Sequence, residues 1–332
     1  MLTDNLLFRE NNLEAKMSQA TKHIGLNTGN RILTTILKYK MFYLMVLPLL
    51  LFYIIFCYIP MYGLKIVFQD FRPLLGFIDS RWVGLDNFKE VISDMYFWRA
   101  FRNTCIIAFY KLLICFPIPI IMAIFLNEIM NLKFKKIVQT IIYLPRFISW
   151  IIISGMLGAF LSPDNGFINT VLINLGFINE GIYFQTQPEF YRGIVVITDV
   201  WKSAGWGTII YFATISGINP ELYEAAIIDG ANRFHKMRYI TVPELMPTIS
   251  LLLILTIGSF LSNAGFEQIY MTYNTLVFET GDILDTFVFR NGIGMAKFSY
   301  SATAGLIKSV ISAFLIIMAD RVAKKTGNAG LF

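Results

Sequence analysis

Along the chain, long apolar runs alternate with short polar stretches, and neither a strand period nor a soluble amphipathic helix period dominates. Met41–Tyr62 carries no charge at all. Asn103–Leu126, Ile137–Phe160 and Gly193–Ser216 follow, then the shorter Thr248–Ala264 and Ala302–Ala319. A helix needs about 20 apolar residues to cross a hydrocarbon core roughly 30 Å thick. The pattern therefore predicts an all-α, polytopic membrane protein with six transmembrane helices. It divides into a tail over 1–40, a membrane domain over 41–320 and a second tail over 321–332.

Charge sets the orientation. Six spans put both termini on one side, and the tails and loops of that side hold 15 Lys and Arg against 8 in the opposite, longer loops. Positive residues accumulate in cytoplasmic loops, so both termini are expected in the cytoplasm of a multi-pass membrane protein. The same rule absorbs the net charge of +6, and nucleic acid is not an expected partner; membrane lipid is. With 56% hydrophobic and 15% charged residues, the chain is neither disordered nor an ordinary soluble enzyme. Cys57, Cys105 and Cys115 lie in apolar segments, and His23 and His235 are isolated, so neither a disulfide framework nor a metal site is expected. No phosphate-cradling G-x-x-x-x-G-K-[ST] motif is present, and no apolar leader precedes Met41.

The loop between the fourth and fifth spans, about 219–243, carries the most information. Asn219 suits a helix N-cap and Pro220 the first helical position. Gly230 suits the left-handed residue that closes a helix, and a second short helix is expected to end ahead of Pro243. The product is a bent knob with Leu222, Ala225, Ala226, Phe234 and Met237 on apolar faces. An exposed knob of that kind calls for a partner.

Glu224-Ala225-Ala226, Gly230, Ile240 and Pro243 keep the spacing of the EAA signature. On that motif the chain resembles the permeases of bacterial binding-protein-dependent ABC importers, departing only at Val242, where Leu is usual. From about Lys40 onward, Tyr58-Ile59-Pro60-Met61-Tyr62-Gly63, Trp82–Phe88, Asn263–Tyr270 and the ending Ala323–Phe332 are similar to the carbohydrate branch, the permeases for maltose-type sugars and complex polysaccharides. The resemblance implies that the chain is no enzyme and binds no cofactor. It implies a second homologous permease as partner, two ATPase subunits that hold ATP and Mg, and an extracellular sugar-binding protein. It places the ATPase-coupling contact on Glu224, Ala225, Ala226, Asp229, Gly230, Arg233, Phe234, Ile240 and Pro243. A peptide or other small solute remains the alternative cargo. An ion-coupled secondary transporter is the alternative class, although the related halves with broken helices usual in that class are not visible.

The substrate path is less sharply marked. Span charges are Lys111, Arg146, Asp199, Lys202 and Lys308; such charges face a cavity or one another. Asp199 and Lys202 are spaced to pair on one helix, whereas Lys111 and Lys308 are expected to snorkel or to meet the partner permease. Arg146 follows a helix-bending Pro145 and has no nearby acid, which points to a carboxylate-bearing cargo or a partner's acid. Trp201, Trp206, Tyr211, Asn263, Glu267 and Tyr270 offer stacking faces and hydrogen bonds suited to sugars. The outer stretches Phe68–Phe71 and Trp82–Phe88 suit an interfacial belt or a docking surface. At the start of the chain, Leu13–Lys16 is encodable by a stretch resembling a ribosome-binding site, so translation is expected to begin at Met17.

Overall fold

A computed structural model describes residues 38–325, apart from the Ala323 side chain. The expected start at Met17, most of the tail over 1–40 and the closing Gly330-Leu331-Phe332 lie outside the described residues. By its contacts the chain divides into two units, Met1–Lys65 and Ile66–Phe332. In the first unit, α1 (Lys40–Tyr53) passes through a π turn at Ile54–Tyr58 to Ile59–Met61. Pro60 sits just after that turn, where the widened hydrogen-bond pattern relieves the clash of a ring that offers no N–H.

The second unit begins with a small hairpin, β1 (Gln69–Asp70) antiparallel to β2 (Arg81–Trp82), with Gln69 opposite Trp82. The Asn87 side chain donates to the carbonyls of Val67 and Gln69 at 2.8 and 3.0 Å, and Phe68 stacks on Trp82. The outer stretch is thus folded around its aromatics. This ladder is the exception to the all-α expectation among the described residues.

Then come α2 (Met95–Ile114) and α3 (Pro117–Glu128), joined by a turn ahead of Pro117, then α4 (Leu132–Tyr143) and α5 (Trp150–Phe160). The longest is α6 (Pro188–Ser216). After it lie α7 (Pro220–Ile228), α8 (Arg233–Lys236), α9 (Val242–Gly258), α10 (Phe266–Thr272), α11 (Leu284–Phe289) and α12 (Phe298–Lys325).

Among the described residues, four helical stretches are long and apolar enough to cross a membrane: Lys40–Phe68, Met95–Glu128, Arg233–Gly258 and Phe298–Val322. A straight span over Ile137–Phe160 is not what forms. Leu132–Phe147 and Trp150–Phe160 meet at 100°, because Pro145 sits in a 3-10 turn and Ser149 starts a new helix by accepting from the Ile152 N–H. Helix α6 has the length of a span, but Glu189, Arg192, Asp199 and Lys202 lower its hydropathy. The fifth expected segment also shifts: helical structure runs from Arg233 to Gly258, and the chain turns before Ala264.

Apolar clusters succeed one another along the helices. Phe97 and Ala100 of α2 pack with Leu284, Phe287 and Tyr300. Ile107 packs with Tyr191 and Val195 of α6 and with Ile269. Ala123 of α3 packs with Tyr211, Ile215, Ile218 and Leu245. Along α6, Val195 and Tyr211 are roughly 24 Å apart at 1.5 Å per residue; the polar side chains of the helix lie in the interval. Gly205 in that interval allows close approach to α4, since a Cβ there would collide with the Ile142 carbonyl oxygen.

Candidate functional site: an exposed knob and a polar cleft

The knob forms from local sequence. Asn219 Oδ1 accepts the Glu221 N–H at 3.1 Å, and Pro220 opens α7. Gly230 has φ of +78°, a value that penalises any side chain. The Ala231 N–H reaches the Ala226 carbonyl at 2.8 Å and the Gly230 N–H reaches that of Ile227 at 3.0 Å, the paired closure of a Schellman motif. Asn232 then caps α8 by accepting the His235 N–H.

The expected stop ahead of Pro243 does not occur. The helix passes through a π turn at Met237–Thr241, in which the Val242 N–H bonds to the Met237 carbonyl, and continues as α9. As in α1, the π turn lets a helix pass a proline.

Glu224, Ala225, Asp229, Gly230, Arg233, Phe234 and Pro243 are exposed, as are Leu222 and Ile228, while Ala226 and Met237 are half-buried. Glu224 makes no hydrogen bond or ion pair among the described residues. Arg233 reaches the Met130 sulfur at 3.5 Å. Ile240 faces inward: with Tyr223 it packs against the cluster of α3, α6 and α9, and Tyr223 bonds to Thr241 at 2.9 Å. Tyr223 and Thr241 were not recognisable from sequence, because their role depends on contacts across the knob.

The second site is a cleft of about 320 Å³ whose lining includes Lys111, Asp199, Tyr211, Thr256 and Asn263. The Asp199–Lys202 pair expected from helical spacing is absent. Asp199 instead lies 3.3 Å from Lys111 of α2 and accepts from Ser203. Lys111 also donates to Gln268 at 2.7 Å, and Gln268 donates to the Val195 carbonyl and to Thr198. This network joins α2, α6 and α10. Gly265, with φ of +87°, begins α10 and leaves room for it, since a Cβ there would lie 2.9 Å from the Lys111 ammonium nitrogen. Lys202 turns the other way, donating to the Ile148 carbonyl beneath the bend of α4 and α5, with its ammonium 5.0 Å from the Trp150 ring.

Lys308, expected to snorkel or await the partner, is paired within the chain to Asp285 at 2.5 Å. Lys111 likewise has its own acid. Of the four cations counted in the spans, two are therefore neutralised internally. Arg146 is exposed in the 3-10 turn.

The remaining candidates divide. Asp199, Tyr211 and Asn263 share the cleft, although Tyr211 is buried and Asn263 donates to the Thr256 carbonyl. Trp206 meets Phe147 edge-on beside the bend. Trp201 lines a separate cleft with Met122 and Pro145. Tyr270 belongs to an aromatic group with Phe266 and Phe289, and Glu267 is exposed. Gln268, which ties the network, escaped the sequence reading beside the more conspicuous Glu267.

In the loop after α10, Asp282 is fully buried and takes two hydrogen bonds from Arg290 at 2.9 and 2.6 Å. Burial works against the Arg290 charge, but these bonds and the Asp282 carboxylate outweigh it and hold the guanidinium above its ordinary pKa.

Residues 115–328 match the family described as "Binding-protein-dependent transport system inner membrane component". The chain belongs to this family. It is 44% identical over 293 residues to Protein LplB of Bacillus subtilis (strain 168), covering 88% of this chain and 91% of that one. It is 40% identical to the polygalacturonan/rhamnogalacturonan transport system permease protein YteP of the same organism, covering 91% and 93%. A chain of the solved bacterial ABC transporter involved in import of the acidic polysaccharide alginate superposes with a TM-score of 0.82 at 36% identity, covering 89% of this chain and 99% of that chain. The same transporter, in complex with its alginate pentasaccharide-bound periplasmic protein, gives 0.83. The family and its apolar helices make this an inner-membrane protein.

Proposed function

We propose that the chain is the permease subunit of an ATP-driven ABC importer that carries an oligosaccharide or glycan across the cell membrane. It crosses the membrane six times with both termini in the cytoplasm, the fourth crossing being α6, whose Arg192, Asp199 and Lys202 find partners inside the protein. A second, homologous permease lies beside it. An extracellular or periplasmic binding protein delivers the cargo.

The knob over 219–243 is the coupling element. The observation that carries this reading is an ordered, closed knob that leaves Glu224, Phe234 and Leu222 exposed and unengaged, in a chain of this transport family. Two separate ATPase subunits receive the knobs, bind ATP and Mg, and perform the hydrolysis; this chain supplies no ATPase site. ATP-driven closure of those subunits moves the knob, and its packing through Tyr223 and Ile240 passes the movement to the membrane helices, an element biasing two global states.

The cargo is carbohydrate. The relatives' named cargoes include polygalacturonan/rhamnogalacturonan and the acidic polysaccharide alginate, which favours an acidic glycan. Asp199, Asn263 and the cleft they line, with Arg146 and Trp206 at the bend, form the path.

The test is reconstitution of the chain with its permease partner, ATPases and binding protein in nanodiscs. The expected result is ATP hydrolysis stimulated several-fold by binding protein loaded with an oligogalacturonide. Stimulation by peptides instead of sugars, or failure to copurify with an ATPase, overturns the reading.

A further inference from the structure

The first two turns of α2 hold a site that the transport reading leaves unused. Met95, Tyr96, Trp98, Arg99 and Arg102, with Glu279 from the loop after α10, line a cavity of about 430 Å³, within the range of small-molecule sites, roughly 300–1,000 Å³. Met95, Arg99 and Arg102 follow one another at i, i+4 and i+7, one face of a helix. Tyr96 and Trp98 stand exposed on either side.

The two arginines have no structural employment. Neither is in an ion pair among the described residues. The Arg99 guanidinium lies over the Tyr96 ring at 5.0 Å, yet its Nε is shielded from water with no hydrogen-bond partner. A buried donor left unpaired is costly and calls for an explanation. The neighbouring acid is already spent: Asp94 accepts the Tyr96 N–H at 2.7 Å through one oxygen and the Tyr300 hydroxyl through the other. Arg192, by contrast, is consumed by Asn103 and the Thr280 carbonyl. Glu279 is the one carboxylate in the lining, against two guanidiniums.

We propose that Arg99 and Arg102, with the ring faces of Tyr96 and Trp98, receive the carboxylate-bearing sugar units of an acidic glycan at the outer end of α2. This rests on the importer reading above. A guanidinium fork matches a carboxylate bidentately, and the rings pack against the C–H face of a pyranose. Glu279 accepts hydrogen bonds from sugar hydroxyls, which a lipid phosphodiester does not offer. Arg102 lies nine residues before Lys111 on the same helix, roughly 14 Å along it, so the site stands outward of the central cleft on that helix.

The test compares tetragalacturonate with its carboxyl-reduced, neutral counterpart in the reconstituted complex, each delivered by the binding protein. The double variant Arg99→Gln/Arg102→Gln should lose transport of the acid about tenfold more than that of the neutral sugar, seen in KM rather than kcat, the scale of a lost charge-assisted contact. Single Arg→Lys variants, which keep the charge but not the fork, should lose about threefold, and they serve as the test if the double variant does not assemble. Equal loss for both cargoes, or an unchanged preference, overturns the proposal. Weakened affinity for the binding protein whatever its load assigns the arginines to protein docking, and dependence on anionic lipid content alone assigns them to headgroups; either overturns it. A complex that transports no glycan at all refutes the importer reading itself, which separates that failure from failure of this site alone.

Discussion

The knob over 219–243 and the polar cleft between the apolar clusters of α6 are built in opposite ways. In the knob, nearly every defining bond spans five residues or fewer: Asn219 to Glu221, Ala231 to Ala226, Asn232 to His235. In the cleft, the bond from Lys111 to Gln268 spans 157 residues, and Gln268 returns to Val195 across 73. One site is written in consecutive letters; the other exists only after the helices have met. The knob presents unengaged side chains to its surroundings, whereas the cleft spends its charges on itself.

The contrast is most directly tested by removing one member of the buried pair. Lys111→Met leaves Asp199 facing an apolar wall and should destabilise the protein by about 3 kcal/mol or more, seen as a lowered unfolding temperature in detergent and a poor yield of complex. Adding Asp199→Leu should restore much of the loss; if the double variant is no better than the single, the pair is not the source of the effect. Gly230→Val comes next. A branched side chain at φ of +78° costs roughly 1–3 kcal/mol, and the expected outcome is a chain that still inserts but loses uptake and cargo-stimulated ATP hydrolysis. Normal uptake would remove the knob from the coupling route.

Asn219→Ala removes a cap worth about 1 kcal/mol. It should loosen α7 alone, detectable as faster amide exchange over 221–228 with the cleft unaffected. The smallest effect on stability belongs to Glu224→Ala. No bond among the described residues is lost, so the unfolding temperature should hold while ATPase stimulation falls several-fold. A drop in stability instead would show that Glu224 serves its own loop.

The same division governs what the sequence could tell. The cap at Asn219, the turn at Gly230 and the kink at Pro145 follow from residue types with narrow backbone preferences, and each was legible. The charges misled because helical spacing proposes only partners on the same helix. It offered Lys202 to Asp199, while the structure supplies Lys111 from α2 and gives Lys308 an acid from α11. Pro243 misled in a related way. A proline reads as a stop, but a π turn one residue upstream removes the clash, and nothing in Met237–Thr241 advertises that turn. Gln268 had no local signal at all, being a neutral polar residue next to a glutamate.

The hydroxyl contact between Tyr223 and Thr241 has a mechanical consequence. It pins the first knob helix to the root of α9, so the two knob helices and the start of α9 are coupled like a crank and its shaft. On the coupling reading proposed above, force applied at the exposed tip near Phe234 would be delivered as torque on α9, not dissipated by flexing of a loop. Because Tyr223 and Ile240 also rest on Ala123, Ile215 and Leu245, the bearing of that crank is the apolar cluster itself, and the stiffness of transmission is set by side-chain packing rather than by the loop's length.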